Sequence, residues 1–132
     1  MTQELTVLVY AAVLGLVMVL LPPVVDGATG GRRYFNWNAG TRDTPFEVNP
    51  TAERLRRAFS NFMETFVFFA VIVIALAFAD KSSAHSVNGA WLYLGARILY
   101  VPCYAFGIKY VRSAVWAVSL AGILMCLYTL LT

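Results

Sequence analysis

Leu5 to Val25 and Ser113 to Thr132 contain no charged residue, and Ala58 to Ala79 contains only Glu64. A helix crossing the hydrocarbon core of a bilayer needs about 20 predominantly apolar residues. Each of these runs is long enough to span. A fourth segment, roughly Val87 to Ile108, carries Arg97 as its single charge. In hydrocarbon, only helices and closed barrels satisfy every backbone polar group, and these runs are too long for barrel strands. The expected fold is therefore all-α: an integral membrane four-helix bundle. It forms a single domain over 1–132, with spans at about 4–25, 52–79, 86–107 and 110–131. A chain of 132 residues leaves no room for a second ordinary domain. The 60% hydrophobic share lies well above soluble averages.

The first run does not read as a cleaved signal peptide. Glu4 stands ahead of it, no Lys or Arg precedes it, and it is longer than a usual signal core. Lys and Arg then set the orientation. The first loop and its flank hold Arg32, Arg33, Arg42, Arg54, Arg56 and Arg57, and the third loop holds Lys109 and Arg112. The second loop holds only Lys81. By the positive-inside rule, loops one and three are expected on the cytoplasmic side, with both termini outside. The net charge of +3 is thus a topology signal. No basic patch with interleaved aromatics points to nucleic acid.

Polar landmarks divide the rest of the chain. Pro22-Pro23 is expected to end the first helix. Asp26 to Pro50 reads as a long polar loop, in which Arg32-Arg33-Tyr34-Phe35 has the composition of a membrane-surface anchor. Thr51 is the expected N-cap of helix two. Asp80 to Ser86 reads as a short turn containing an exposed His85, and Gly107 to Tyr110 as a tight turn. Pro102 is placed to kink helix three, and Ser119 and Gly122 to allow close helix contact on helix four. Cys103 and Cys126 fit small packing residues, with no metal-ligand spacing.

Against this apolar background, Arg57, Asn61 and Glu64 recur at spacings of four and three. They share one side of a helix. A charge at the bilayer centre costs on the order of 2.5–3.5 kcal/mol even on a lenient insertion scale. These three are therefore expected to face another helix or a water-filled crevice. Tyr93, Arg97, Tyr100 and Tyr104 follow at four, three and four on helix three, and Arg112 opens helix four. The opposed directions of helices two and three bring Glu64 and Arg97 to similar depth, where an ion pair would lessen the cost of burying either.

Such a face suits an amphiphilic anionic ligand. Arginines bind carboxylates in bidentate fashion, a carboxylate receives an ammonium, and tyrosines give hydroxyls and flat walls. Glutathione, with two carboxylates, an ammonium and a thiol, matches that donor set. A cation beside its thiol would raise the reactive thiolate fraction. The residues alone leave two other readings open: a network serving only helix association, or a lipid headgroup site.

Arg54-Leu-Arg-Arg57-Ala-Phe-Ser-Asn61-Phe-Met-Glu64-Thr65 resembles the Arg-Ala-x-x-Asn-x-x-Glu signature of the MAPEG family, the membrane-associated proteins of eicosanoid and glutathione metabolism. Ala96-Arg97-Ile-Leu-Tyr100-Val-Pro-Cys-Tyr104 is similar to the family's Arg-x-x-Tyr-x-x-x-Tyr on helix three. Arg32-Arg33-x-Phe35 resembles a basic-aromatic element after helix one. The resemblance implies a homotrimer with sites between subunits and glutathione as co-substrate. It implies glutathione contacts at Arg57, Asn61, Glu64, Tyr100 and Tyr104, with Arg97 supporting the same cluster and Arg112 stabilising the thiolate. The implied activity is a glutathione-dependent transferase or peroxidase toward a lipophilic small molecule arriving from the membrane lipid. A non-catalytic trimer that binds a lipid or partner is the competing reading. The Tyr104 to Arg112 spacing departs from the eicosanoid enzymes, and Tyr100 to Arg112 looks more like the bacterial branch. Eicosanoid substrates are therefore not inferred, and a bacterial inner membrane is the expected location.

Overall fold

The computed structural model describes residues 1–46 and 49–132. Four helices follow in order: α1 (Gln3–Ala39), α2 (Pro50–Ala79), α3 (Ala84–Ala105) and α4 (Val111–Leu131). α1, α2 and α4 are long and apolar enough to cross a membrane. α3 has 22 residues but includes Asn88, Arg97 and three tyrosines, and it is not among the helices of sufficient apolarity. Several of its polar groups turn inward: Ser86, Tyr93, Arg97 and Tyr100 are buried, while Asn88 is exposed. α2 and α3 form the central pair, with α1 on one flank and α4 on the other, where it packs most extensively against α3.

In lipid the hydrophobic effect does not drive helices together, so close packing and polar contacts must. The α3–α4 crossing uses the first. A Cβ placed on Gly122 would stand 2.5 Å from the Gly89 carbonyl oxygen, and one on Gly89 would stand 2.7 Å from the Gly122 oxygen. Gly122 thus lets two backbones touch, as its position in the fourth span suggested, and Ser119 is buried beside it. Next to this crossing, Phe69 and Tyr93 stack at a centroid distance of 4.1 Å within a core that includes Val7, Ala11, Val73, Ile123 and Cys126. Both cysteines are free, and the Cys126 thiol donates to the Ser86 carbonyl.

Polar contacts close the end of the bundle that holds the chain termini. Glu4 is buried, and its carboxylate accepts hydrogen bonds from Ser82 Oγ at 2.8 Å and Ser86 Oγ at 2.5 Å. Ser83 caps α3 and exchanges side-chain bonds with Ser86 in a capping box. The carboxylate of α1 thereby seats on the N-terminus of α3, where unpaired amides favour an anion.

Three local expectations need correction. Pro22-Pro23 does not end α1. Two prolines remove two ladder bonds, but membrane helices tolerate this where neighbouring groups satisfy the freed carbonyls. The helix breaks instead at Gly31, at φ 56° and ψ −140°, where the missing Cβ removes the steric penalty. A second arm follows. It buries Tyr34 against Phe35, Trp37 and Phe46, with ring centroids 5.6–6.1 Å apart. The expected loop from Asp26 therefore shrinks to the segment after Ala39; its residues Glu47 and Val48 lie outside the described residues. The N-cap of α2 is Asn49, whose Oδ1 accepts from the Thr51 amide at 2.9 Å, rather than Thr51 itself. Pro50 at the first helical position explains the shift, since its fixed φ suits a helix start and its lost N–H is not needed there. His85 is exposed but stands in the first turn of α3, its ring 5.7 Å from that of Tyr128.

The backbone contact at the α3–α4 crossing makes a sharp comparison. Gly122→Ala is expected to destabilise by about 1–3 kcal/mol through overpacking. Gly95→Ala, where nothing lies within 4 Å of the added Cβ, is expected to be neutral or to stabilise by up to about 1 kcal/mol. Thermal unfolding in detergent should separate the two; equal midpoints would refute the close crossing.

Candidate functional site

One side of α2 and the facing parts of α3 and α4 border an open cavity of about 420 Å³. Its wall is built by Arg57, Ser60, Asn61 and Glu64 of α2, Tyr100 and Tyr104 of α3, and Arg112, Ser113 and Trp116 of α4. The volume falls within the range of about 300–1,000 Å³ typical of small-molecule pockets. The helical period explains the convergence. Arg57, Ser60, Asn61 and Glu64 recur every three or four residues along α2, as do Arg112 and Trp116 along α4. The tight turn at Gly107, with φ 67°, returns the chain so that Arg112 meets Tyr104 across it.

Behind the cavity wall stands Arg97, which is 1% exposed. Its Nη2 donates to Asn61 Oδ1 at 3.0 Å. Its guanidinium lies 4.3 Å from the ring centroid of Tyr100 and 5.6 Å from that of Phe62. Tyr100 meets Tyr104 edge-on at 5.7 Å, and Arg112 stacks over Tyr104 at 4.6 Å. A ladder of rings and cations thus runs from Phe62 through Arg97, Tyr100 and Tyr104 to Arg112. Each cation–π contact contributes about 0.5–2 kcal/mol, more as water is excluded. The ladder fixes both the floor of the cavity and the position of its outer arginine.

Of the residues singled out from sequence, Arg57, Asn61, Glu64, Tyr100, Tyr104 and Arg112 line this one cavity. Arg97 does not line it; it orients Asn61 and Tyr100 from behind. The expected Glu64–Arg97 ion pair is not formed. Asn61, one turn before Glu64, takes the guanidinium instead, and Glu64 stays on the outer surface of the chain. Arg97 Nε and Nη1 have no hydrogen-bond partner among the described residues. Tyr93 shares the face but not the cavity, and its hydroxyl lies 3.3 Å from Thr65 Oγ1. Arg57 is exposed and sits 3.7 Å from Glu53 one turn earlier.

Ser60, Ser113 and Trp116 also line the cavity and were missed from sequence. The signal was present in spacing: Ser60 lies three after Arg57 and four before Glu64, and Trp116 lies four after Arg112. Their ordinary polarity hid them. Arg54 was read only as part of a signature. Its guanidinium donates to the Ala105 carbonyl at 3.3 Å, tying α2 to the last turn of α3.

Arg97 depends on one polar side chain, and this gives a test. Asn61→Leu is expected to lower stability by roughly 1.5–3 kcal/mol, the magnitude for a hydrogen bond to a charged group. The readout is the unfolding midpoint in detergent. An unchanged midpoint would show that the rings alone satisfy the guanidinium.

Comparison with known proteins agrees with the residue pattern. No curated protein and no solved structure matches the chain significantly. The sequence model of the MAPEG family matches residues 7–132, nearly the whole length and every helix described above. This chain is therefore a member of the MAPEG family, an integral membrane protein of the glutathione and eicosanoid metabolism group.

Proposed function

We propose that the cavity binds glutathione and that the chain is a glutathione-dependent membrane transferase or peroxidase acting on a lipophilic electrophile. The observation that carries this reading is the convergence of two arginines, an asparagine, a carboxylate and two tyrosines on one cavity of sufficient size. That donor set fits the ligand. Arg57 offers a fork for a carboxylate, Glu64 a partner for the ammonium, and Tyr100 and Tyr104 hydroxyls and flat surface. Asn61 is held in place by Arg97. Bound glutathione supplies the sulfur nucleophile. Arg112, braced on Tyr104, places its positive charge where it favours thiolate over thiol. A shift of one pKa unit needs about 1.4 kcal/mol of such differential stabilisation. The exposed Trp116 lines the cavity beside Arg112, on a helix long and apolar enough to span, and gives an apolar electrophile a flat surface to enter along.

Arg57, Ser60 and Glu64 lie on the outer surface of the single chain, on a helix long and apolar enough to span. Facing lipid, the two charges would each cost on the order of 2.5–3.5 kcal/mol if they stood at mid-depth. Burial against further copies of the chain removes that cost, and a homotrimer with its sites at subunit junctions is the assembly we propose. The arginine-rich end carries the orientation. We place it on the cytoplasmic side, where glutathione is available.

Calorimetry on the purified protein with millimolar glutathione is expected to give saturable heat. Arg57→Ala should weaken binding at least about tenfold, equal to about 1.4 kcal/mol. Arg112→Ala should keep binding within a few-fold but lose the ultraviolet thiolate absorbance of the complex. Absence of heat from the unmodified protein would overturn the reading. Equal thiolate absorbance in Arg112→Ala would remove Arg112 from its role.

A further inference from the structure

We infer that a second cavity, between the two arms of α1 and the start of α2, is a binding site for an anionic phospholipid. Its volume is about 490 Å³. The floor is apolar: Met18, Val19, Pro22 and Pro23 of α1 and Phe59 of α2. The rim is polar and aromatic, with Arg42, Arg56, Glu53, Asn38 and Trp37. The break at Gly31 creates the enclosure, because it swings the arm bearing Trp37 and Asn38 back over the proline segment. Arg56 is fixed from behind by an ion pair with the buried Asp26 and from one side by Glu53 at 3.5 Å. Arg42 is exposed and carries no ion pair among the described residues.

This cavity is separate from the first. Arg56 and Phe59 immediately precede Arg57 and Ser60, and one residue is about 100° around a helix. The two cavities therefore occupy neighbouring faces of α2. Nothing in the proposed glutathione chemistry uses the second.

Its chemistry selects the occupant. A soluble anion would leave five apolar floor residues unused. A purely apolar helix would leave Arg42 and Arg56 facing hydrocarbon, at a cost. A molecule with an acyl chain and a phosphate fits both parts. The chain lies along Val19 and Phe59, and the phosphate meets Arg42 and the open side of Arg56. Between residues 26 and 57 the sequence holds six arginines against four carboxylates, so the surrounding field favours an anionic headgroup. Trp37 and Tyr34 at the rim are the residue types that settle at headgroup depth.

The test uses the full chain in detergent, with native mass spectrometry as readout and dioleoyl phosphatidylglycerol or dioleoyl phosphatidylcholine added. Phosphatidylglycerol is expected to stay bound in stoichiometric amount, and phosphatidylcholine much less. Arg42→Glu should weaken retention of phosphatidylglycerol about tenfold, on the order of one to two charge contacts at a membrane surface. Val19→Trp, which extends an exposed side chain into the cavity, should abolish it. Arg57→Ala should leave it unchanged, at matched helical content by circular dichroism. Equal retention of both lipids, or wild-type retention in Arg42→Glu, would overturn the anionic assignment. Wild-type retention in Val19→Trp, or loss in Arg57→Ala, would overturn the location.

Discussion

A buried guanidinium between α2 and α3, with no ion pair among the described residues, is the constraint around which the candidate site is arranged. Arg97 donates one hydrogen bond to Asn61 and otherwise rests on aromatic faces. Removing such a cation from water is expensive, and the usual compensation is a paired acid. Here the compensation is spread across α2 and α3. Asn61 and Phe62 must be presented from one helix while Tyr100 follows Arg97 on the other. That requirement fixes the rotation of α2 against α3. Once it is fixed, Arg57 and Glu64 take their places on the cavity wall by helical period alone, and Tyr104 positions Arg112. The site is thus a consequence of how a buried charge is satisfied, and the cavity stands one layer outside it.

The choice of Asn61 rather than Glu64 as the partner of Arg97 has a chemical consequence. Had Glu64 neutralised Arg97, the cavity would lose the one carboxylate among its described lining residues and with it a partner for an ammonium. With Asn61 interposed, Arg97 is held by a neutral group and Glu64 remains free toward the cavity. Two cations and one anion then face the same space.

Much of this was legible in the sequence, for identifiable reasons. Hydrophobic run length marks membrane helices because the bilayer imposes one thickness, so the four-helix, all-α architecture was readable. The site face was legible because a few polar residues at spacings of three and four stand out on an apolar helix. What failed were judgements needing the third dimension. Pro22-Pro23 looked like a stop because the rule for soluble helices was applied to a chain in lipid. That error hid Asp26 in an imagined loop, and so hid its pairing with Arg56 and the cavity beneath it. The partner of Arg97 was misjudged because opposite charges at matched depth look compelling, whereas side-chain reach decides. Trp116 and Ser113 were overlooked because nothing about a tryptophan or a serine in an apolar span is unusual by itself.

The two ends of the bundle treat polar groups in opposite ways, and this argues where ligands belong. At the end with the chain termini, Glu4 is held by Ser82 and Ser86 and sits on the α3 N-terminus, a closed polar clasp. At the arginine-rich end, donors remain in excess. Arg97 keeps two nitrogens unpartnered among the described residues, and Arg112 rests on a ring rather than an acid. Glu53 there is shared by Arg56 and Arg57, at 3.5 and 3.7 Å, one cation turned to each cavity. The surplus of donors over acceptors at this end, set by the sequence between Asp26 and Arg57, is what both proposed sites draw on.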